Sequence, residues 1–146
     1  MELATERIQL NQTFSDWQDA LTNIGAWLTN QGWVKAGYTE SMIERQELMS
    51  VYIGNFVALP HGNEELVVKE GISLIQVPDG VNFGTKEEPK IATILFAVTF
   101  KKEQQLPMLQ ELAFFCAEIE QVIALSDAKT VSEVQAILEK STTKFE

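Results

Sequence analysis

The chain has one histidine, His61, which closes the run V-Y-I-G-N-F-V-A-L-P-H-G from Val51 to Gly62. A neutral imidazole carries a free nitrogen lone pair near neutral pH, so it can serve as a base, a metal ligand or a nucleophile. With one histidine and one cysteine, Cys116, a Cys/His zinc cluster is excluded unless chains share it. No G-x-S-x-G elbow, P-loop or G-x-G-x-x-G fingerprint occurs, although counting alone does not exclude a Ser-His-Asp arrangement. A lone imidazole can also accept a phosphoryl group, and the phosphoramidate it forms retains enough transfer potential to pass the group on. The transition state of such a transfer is stabilised mainly by positioning and by donors around three equatorial oxygens. That scheme requires no metal and no cofactor.

The flanking residues set the histidine in place. Phe56 to Leu59 suit a short buried strand preceded by a Gly54-Asn55 turn signal. Pro60 cannot donate to a ladder and ends the strand, while Leu59 before it stays extended. Gly62 permits a sharp turn or a close approach. His61 therefore stands on a stiff stalk at a strand's carboxyl end, where open α/β sheets bind ligands. Upstream, Arg45 lies near the end of a helix, and a guanidinium fork suits phosphate oxygens. Lone histidines and arginines are commonly packed or solvated residues, so position rather than type singles out this pair.

The segments I-G-N (Ile53 to Asn55) and L-P-H-G (Leu59 to Gly62) resemble the signature of the mannitol/fructose-type enzyme IIA domains of the bacterial sugar phosphotransferase system. Arg45-Gln46-Glu47-Leu48 is similar to that family's Arg-Glu-Lys-Leu, and Val77 to Gly84 (V-P-D-G-V-N-F-G) resembles the mannitol branch. The resemblance implies that His61 accepts a phosphoryl group on Nε2 from the phosphocarrier protein HPr and passes it to a cysteine of enzyme IIB. It implies that a hydrogen bond on Nδ1 orients the ring, that Arg45 binds the phosphoryl oxygens, and that Asn55 and Gly62 shape the site. The family's H-L-x-x-L-x-x-L-A pattern fits Gln105 to Ala113 with Gln105 in the histidine position. A glutamine amide donates a hydrogen bond but never becomes cationic. A second expectation is a regulatory module switched by His61 phosphorylation without onward transfer.

The 146 residues suit one domain over 1–146, and a net charge of −10 argues against nonspecific nucleic-acid binding. The same charge is compatible with docking on a basic protein surface. No segment has the length and apolarity to span a bilayer, and Met1 to Arg7 lacks the order of a signal peptide. These features point to a cytoplasmic protein without membrane insertion. The single Cys116 precludes an intrachain disulfide and sits in L-A-F-F-C-A, where it packs as a small hydrophobe.

Along the chain, Arg7 to Leu10 reads as a short strand, and Thr13 with Asp16 as a capping box opening a helix over 15–31. Trp17, Leu21, Ile24, Trp27 and Leu28 form its apolar stripe. A second helix follows with Thr39 as N-cap and Met42, Ile43 and Leu48 inward. Gly71 to Val77 suits a strand ending at a Pro78-Asp79-Gly80 turn. Ile91 to Phe100 reads as a central strand buried on both faces. A helix from Leu106 carries Pro107 in its first turn and Leu109, Leu112, Ala113 and Cys116 toward the core. A short helix around Ile119 to Leu125 follows. Thr130 and Glu133 open a last helix to Lys140, and the tail from Ser141 frays. Alternating strands and helices give a three-layer α/β/α sandwich, and the family resemblance implies a small mixed sheet.

Overall fold

A computed structural model describes residues 1–142. In chain order it contains β1 (Ile8–Gln9), α1 (Trp17–Asn30), α2 (Tyr38–Leu48), β2 (Tyr52–Gly54), β3 (Val57–Ala58), β4 (Gly71–Asn82), β5 (Ile91–Thr99), α3 (Lys102–Cys116), α4 (Ile119–Asp127) and α5 (Val131–Thr142). The strands form one mixed sheet in the order β1-β4-β5-β3-β2. β1 runs parallel to β4 and β3 parallel to β5, whereas β4–β5 and β2–β3 are antiparallel. The most apolar segment thus lies at the centre, as expected for a strand covered on both faces.

Side-chain alternation along the central strands divides the core in two. Ile75, Val77, Leu95 and Ala97 pack under α1 and α2 against Leu21, Ile24, Leu28, Tyr38 and Met42. Leu74, Ile94, Phe96 and Val98 face the other way, against Leu112, Phe115 and Cys116 of α3, Leu125 of α4 and Leu138 of α5. Each fully buried Leu, Ile or Phe contributes about 1.5–3 kcal/mol of transfer free energy, so both helical layers are held by the same sheet. The result is a three-layer α/β/α sandwich.

Several local expectations are corrected. Asp16, not Thr13, caps α1, accepting the Asp19 N–H at 2.7 Å, because its extended backbone aims the carboxylate at the first turn. Gly37, at φ 99°, rather than Thr39, precedes α2, since a positive φ is where glycine is favoured. Leu48 is 85% exposed, and Gln46 occupies the inward position instead. Phe56 does not join β3: Asn55 (φ 49°) and Phe56 (φ 66°) form the left-handed corner of a hairpin with β2, a strand the sequence pattern did not reveal. Pro78 to Gly80 do not end β4 but form an irregularity within it, between Gln76 and Val81. α3 starts four residues before Leu106, at Lys102, because the Glu70 carboxylate accepts the Lys101 N–H at 2.9 Å and nucleates the turn. Pro107 consequently lies inside α3. At α5, Thr130 Oγ1 does cap Glu133 N–H. Ser141 and Thr142 extend that helix, and 143–146 lie outside the described residues.

Candidate functional site

β3 ends at Ala58, and the chain continues past the sheet as Leu59-Pro60-His61-Gly62. Leu59 N–H bonds to Val51 O at 2.9 Å, and Pro60 O accepts from Val98 N–H of β5 at 2.9 Å. The stalk is therefore held from both sides up to the proline. His61 follows, only 8% exposed, with Nδ1 2.7 Å from Leu59 O. A carbonyl oxygen can only accept, so Nδ1 carries the proton and Nε2 keeps its lone pair. Among the described residues no hydrogen bond engages Nε2.

Burial is the main cause that lowers the His61 pKa below its ordinary 6.5, the Leu59 hydrogen bond opposes it, and the nearby Arg45 charge lowers it further. All of this acts toward a neutral ring at physiological pH. His61 and Arg45 line one pocket of about 320 Å³ with Met49, Ser50, Val51, Tyr52 and Ile53 on one side and Leu109, Gln110 and Ala113 of α3 on another. Ala113, expected in the core, is exposed and lines the histidine pocket, whereas Leu109 is half-buried and packs against the core while also lining the pocket. At rest Arg45 donates from its guanidinium to Met49 O at the end of α2.

The other expected site residues are placed differently. Gly62 N–H donates to Tyr38 Oη at 3.0 Å, and a Cβ at this position would collide with Ser41 and Met42 of α2. Asn55 lies at the hairpin corner, where its Nδ2 donates to Cys116 O at 3.0 Å and Ala117 O at 3.3 Å. It ties the hairpin to the carboxyl end of α3 and does not line the pocket. Gln105 sits one helical turn before Leu109, outside the pocket lining, and its Oε1 is buried without a hydrogen-bond partner among the described residues. It is therefore not an ordinary solvated surface residue.

Three residues that sequence reasoning passed over hold the pocket together. Tyr38 Oη donates to Val98 O at 3.1 Å while receiving Gly62 N–H. Ser41 Oγ receives Asn63 N–H at 2.9 Å. Gln46, 6% exposed, receives Val51 N–H at 2.8 Å and donates to Phe83 O at 2.9 Å. Tyr38, Met42 and Gln46 recur every four residues on the inward stripe of α2. A glutamine on that stripe was the available signal, because a buried amide must find partners.

Chemically, the pocket offers a bare imidazole nitrogen beside a guanidinium, within mostly apolar walls. Residues 2–141 match the family model for the phosphoenolpyruvate-dependent sugar phosphotransferase system, EIIA 2. The chain belongs to that family. EIIA proteins are phosphotransferase components, and the reaction class agrees with the site. The mannitol-specific phosphotransferase enzyme IIA component of Enterococcus faecalis is 46% identical over 130 residues, covering 87% of this chain and 90% of that protein. Among solved EIIA structures, the crystal structure of IIA mannitol from Escherichia coli superposes with a TM-score of 0.86 at 26% identity, covering 94% of this chain and 99% of that one. The complex of enzyme IIA-mannitol with phosphorylated enzyme IIB-mannitol from Escherichia coli gives a TM-score of 0.86 at 25% identity, covering 95% and 98%.

Proposed function

We propose that His61 is the phosphoryl carrier of this EIIA protein, accepting the group from phospho-HPr and passing it to a cysteine of an enzyme IIB in a mannitol-type uptake system. The observation that carries this reading is the fixed tautomer: Nδ1 is committed to Leu59 O, so Nε2 is the free nucleophile, in a pocket shared with Arg45. In the first half-reaction a bond forms from Nε2 to phosphorus as the donor's N–P bond breaks. The ring becomes cationic as the bond forms, and the Leu59 carbonyl stabilises that charge through Nδ1–H. In the second half-reaction a thiolate attacks phosphorus, the Nε2–P bond breaks, and the ring returns to its neutral form. Arg45 and the Gln105 amide are the proposed donors to the phosphoryl oxygens. Gly62 and Asn55 support the site through the backbone and through α3. Mannitol as the sugar rests on the Enterococcus relative, and IIB as acceptor on the Escherichia coli complex. This role belongs in the cytoplasm, and no helix among the described residues is long and apolar enough to cross a membrane.

The test is phosphoryl transfer from phosphoenolpyruvate through enzyme I and HPr. The wild-type chain is expected to take up one acid-labile phosphoryl group, and His61→Ala none. Absence of uptake by the wild type, with HPr verified as phosphorylated, overturns the carrier role.

A further inference from the structure

After Pro60 the chain leaves the ladder with β5, and the peptide that carries the reactive ring has to be held by something else. Pro60 O still accepts Val98 N–H directly at 2.9 Å. Gly62 N–H instead bonds to Tyr38 Oη at 3.0 Å, and that hydroxyl donates to Val98 O at 3.1 Å. The residues before and after His61 are thus tied to the same residue of the central strand, one directly and one through a phenol. We infer that Tyr38 is a positioning residue for phosphoryl transfer, its hydroxyl bracketing the His61 peptide against Val98 so that Nε2 is held in line for attack. The inference deepens the carrier reading and rests on it.

Other observations support a bracket with little play. Tyr38 is fully buried, at 0% exposure, so no water competes for its hydroxyl. The hydroxyl must donate and accept at once, which requires its proton, and burial pushes its pKa up to about 12. Ser41, one turn further along α2, repeats the device, receiving Asn63 N–H at 2.9 Å and donating to Tyr38 O at 2.7 Å. α2 is packed so closely on Gly62 that any side chain there would strike Ser41 and Met42. The helix that carries Arg45 therefore also holds the histidine peptide, and the two groups are registered to each other by one rigid element. In-line transfer is sensitive to small displacements, which gives the bracket its effect on rate.

Tyr38→Phe removes one oxygen while keeping the ring. It is expected to lower kcat for phosphoryl acceptance by about 10- to 100-fold, with KM for phospho-HPr unchanged, because no atom of an exposed surface is altered. The ¹⁵N shifts of the His61 ring are expected to move from a single Nδ1–H tautomer toward the average of two. Leu28→Ala, a core change beneath α1, serves as the control for simple destabilisation and is expected to keep both the wild-type kcat and the wild-type ring shifts. Wild-type kcat and ring shifts in Tyr38→Phe overturn the inference, as does a raised KM with unchanged kcat. Amide exchange in the wild-type protein decides the matter even if the variant fails to fold. Gly62 N–H is expected to exchange as slowly as the β5 amides, and exchange at an exposed-loop rate overturns the bracket. If the wild type takes up no phosphoryl group, the carrier reading fails, while the ring shifts and the Gly62 amide still report on the bracket.

Discussion

The two helical walls of the His61 pocket differ in how their polar groups are used. On the α2 side Tyr38, Ser41 and Gln46 each bond to backbone outside the helix, at Gly62 and Val98, at Asn63, and at Val51 and Phe83. On the α3 side the lining is Leu109, Gln110 and Ala113, and Pro107 interrupts the helical ladder. Gln105, one turn before Leu109 and outside the lining, has its Oε1 buried with no partner among the described residues. A satisfied wall resists motion, whereas an unsatisfied polar atom is stabilised only when a new group arrives. The contrast frames a division of labour to test, with α2 orienting the proposed nucleophile and α3 meeting the transferred group. Arg45 stands at the junction, since it belongs to α2 and among the described residues its hydrogen-bond partner is the Met49 carbonyl.

Arg45→Gln is the strongest way to break this comparison. Loss of the guanidinium is expected to slow phosphoryl acceptance by about 10²- to 10³-fold, the cost of removing a principal charge-stabilising donor. Arg45→Lys keeps the charge but loses the fork, and is expected to fall between the two. The His61 pKa reports on the same residue. Arg45 helps to lower it, so Arg45→Gln is expected to raise it, though not fully to 6.5, because burial is the larger cause. The sign for stability follows. The depressed folded-state pKa gives stability that is present above the unfolded value of 6.5 and is lost as pH falls through the lower folded value. A chemical-denaturation series in the wild type should therefore show stability declining below pH 6.5, and Arg45→Gln should show a narrower decline. An NMR titration in which Arg45→Gln leaves the His61 pKa unmoved would separate Arg45 from the pocket's electrostatics.

Gln46→Leu tests the tied wall by stability rather than by chemistry. It leaves Val51 N–H buried without its acceptor and removes one of two donors to Phe83 O, the other being Ser50. The expected loss is about 1–3 kcal/mol, read from urea unfolding, with a smaller fall in transfer rate because β2 also lines the pocket. Unchanged stability would mean that the amide is not what joins α2 to the hairpin.

The sequence disclosed the histidine and its stalk because the governing rules are local. Pro60 ends a ladder whatever surrounds it, and the apolar run of β5 can only be central. The stripe of α1 was legible for the same reason. What stayed hidden depends on partners far along the chain. The start of α3 is set by Glu70, 31 residues before Lys101. The irregularity within β4 exists because β5 pairs on both sides of it, so Pro78 to Gly80 read as a turn when viewed alone. β2 has three residues, too short for any periodicity to register. Asn55 could be assigned to a turn or a site from sequence, and only its bonds to Cys116 and Ala117 show it joining the hairpin to α3.

The mildest change addresses the untied wall. Gln105 Oε1 is an acceptor without a donor, and a phosphoryl group presents only acceptor oxygens, so the amide must turn to be useful. Rotation about its terminal torsion has broad, roughly two-fold wells, so Nε2 can replace Oε1 at little cost. Gln105→Leu removes an unpaired buried oxygen and is expected to leave folding stability unchanged or slightly raised. The phosphorylated form should nevertheless hydrolyse several-fold faster, since a donor to the phosphoryl oxygens is gone. Gln105→His restores a group that can be cationic and is expected to raise the rate of acceptance several-fold. Gln105→Glu, which adds a negative charge beside the phosphoryl group, should be the most damaging of the three. Should Gln105→Leu keep the wild-type lifetime of the phosphorylated state, the α3 wall supplies no donor, and stabilisation falls to Arg45 on the same helix that orients the ring.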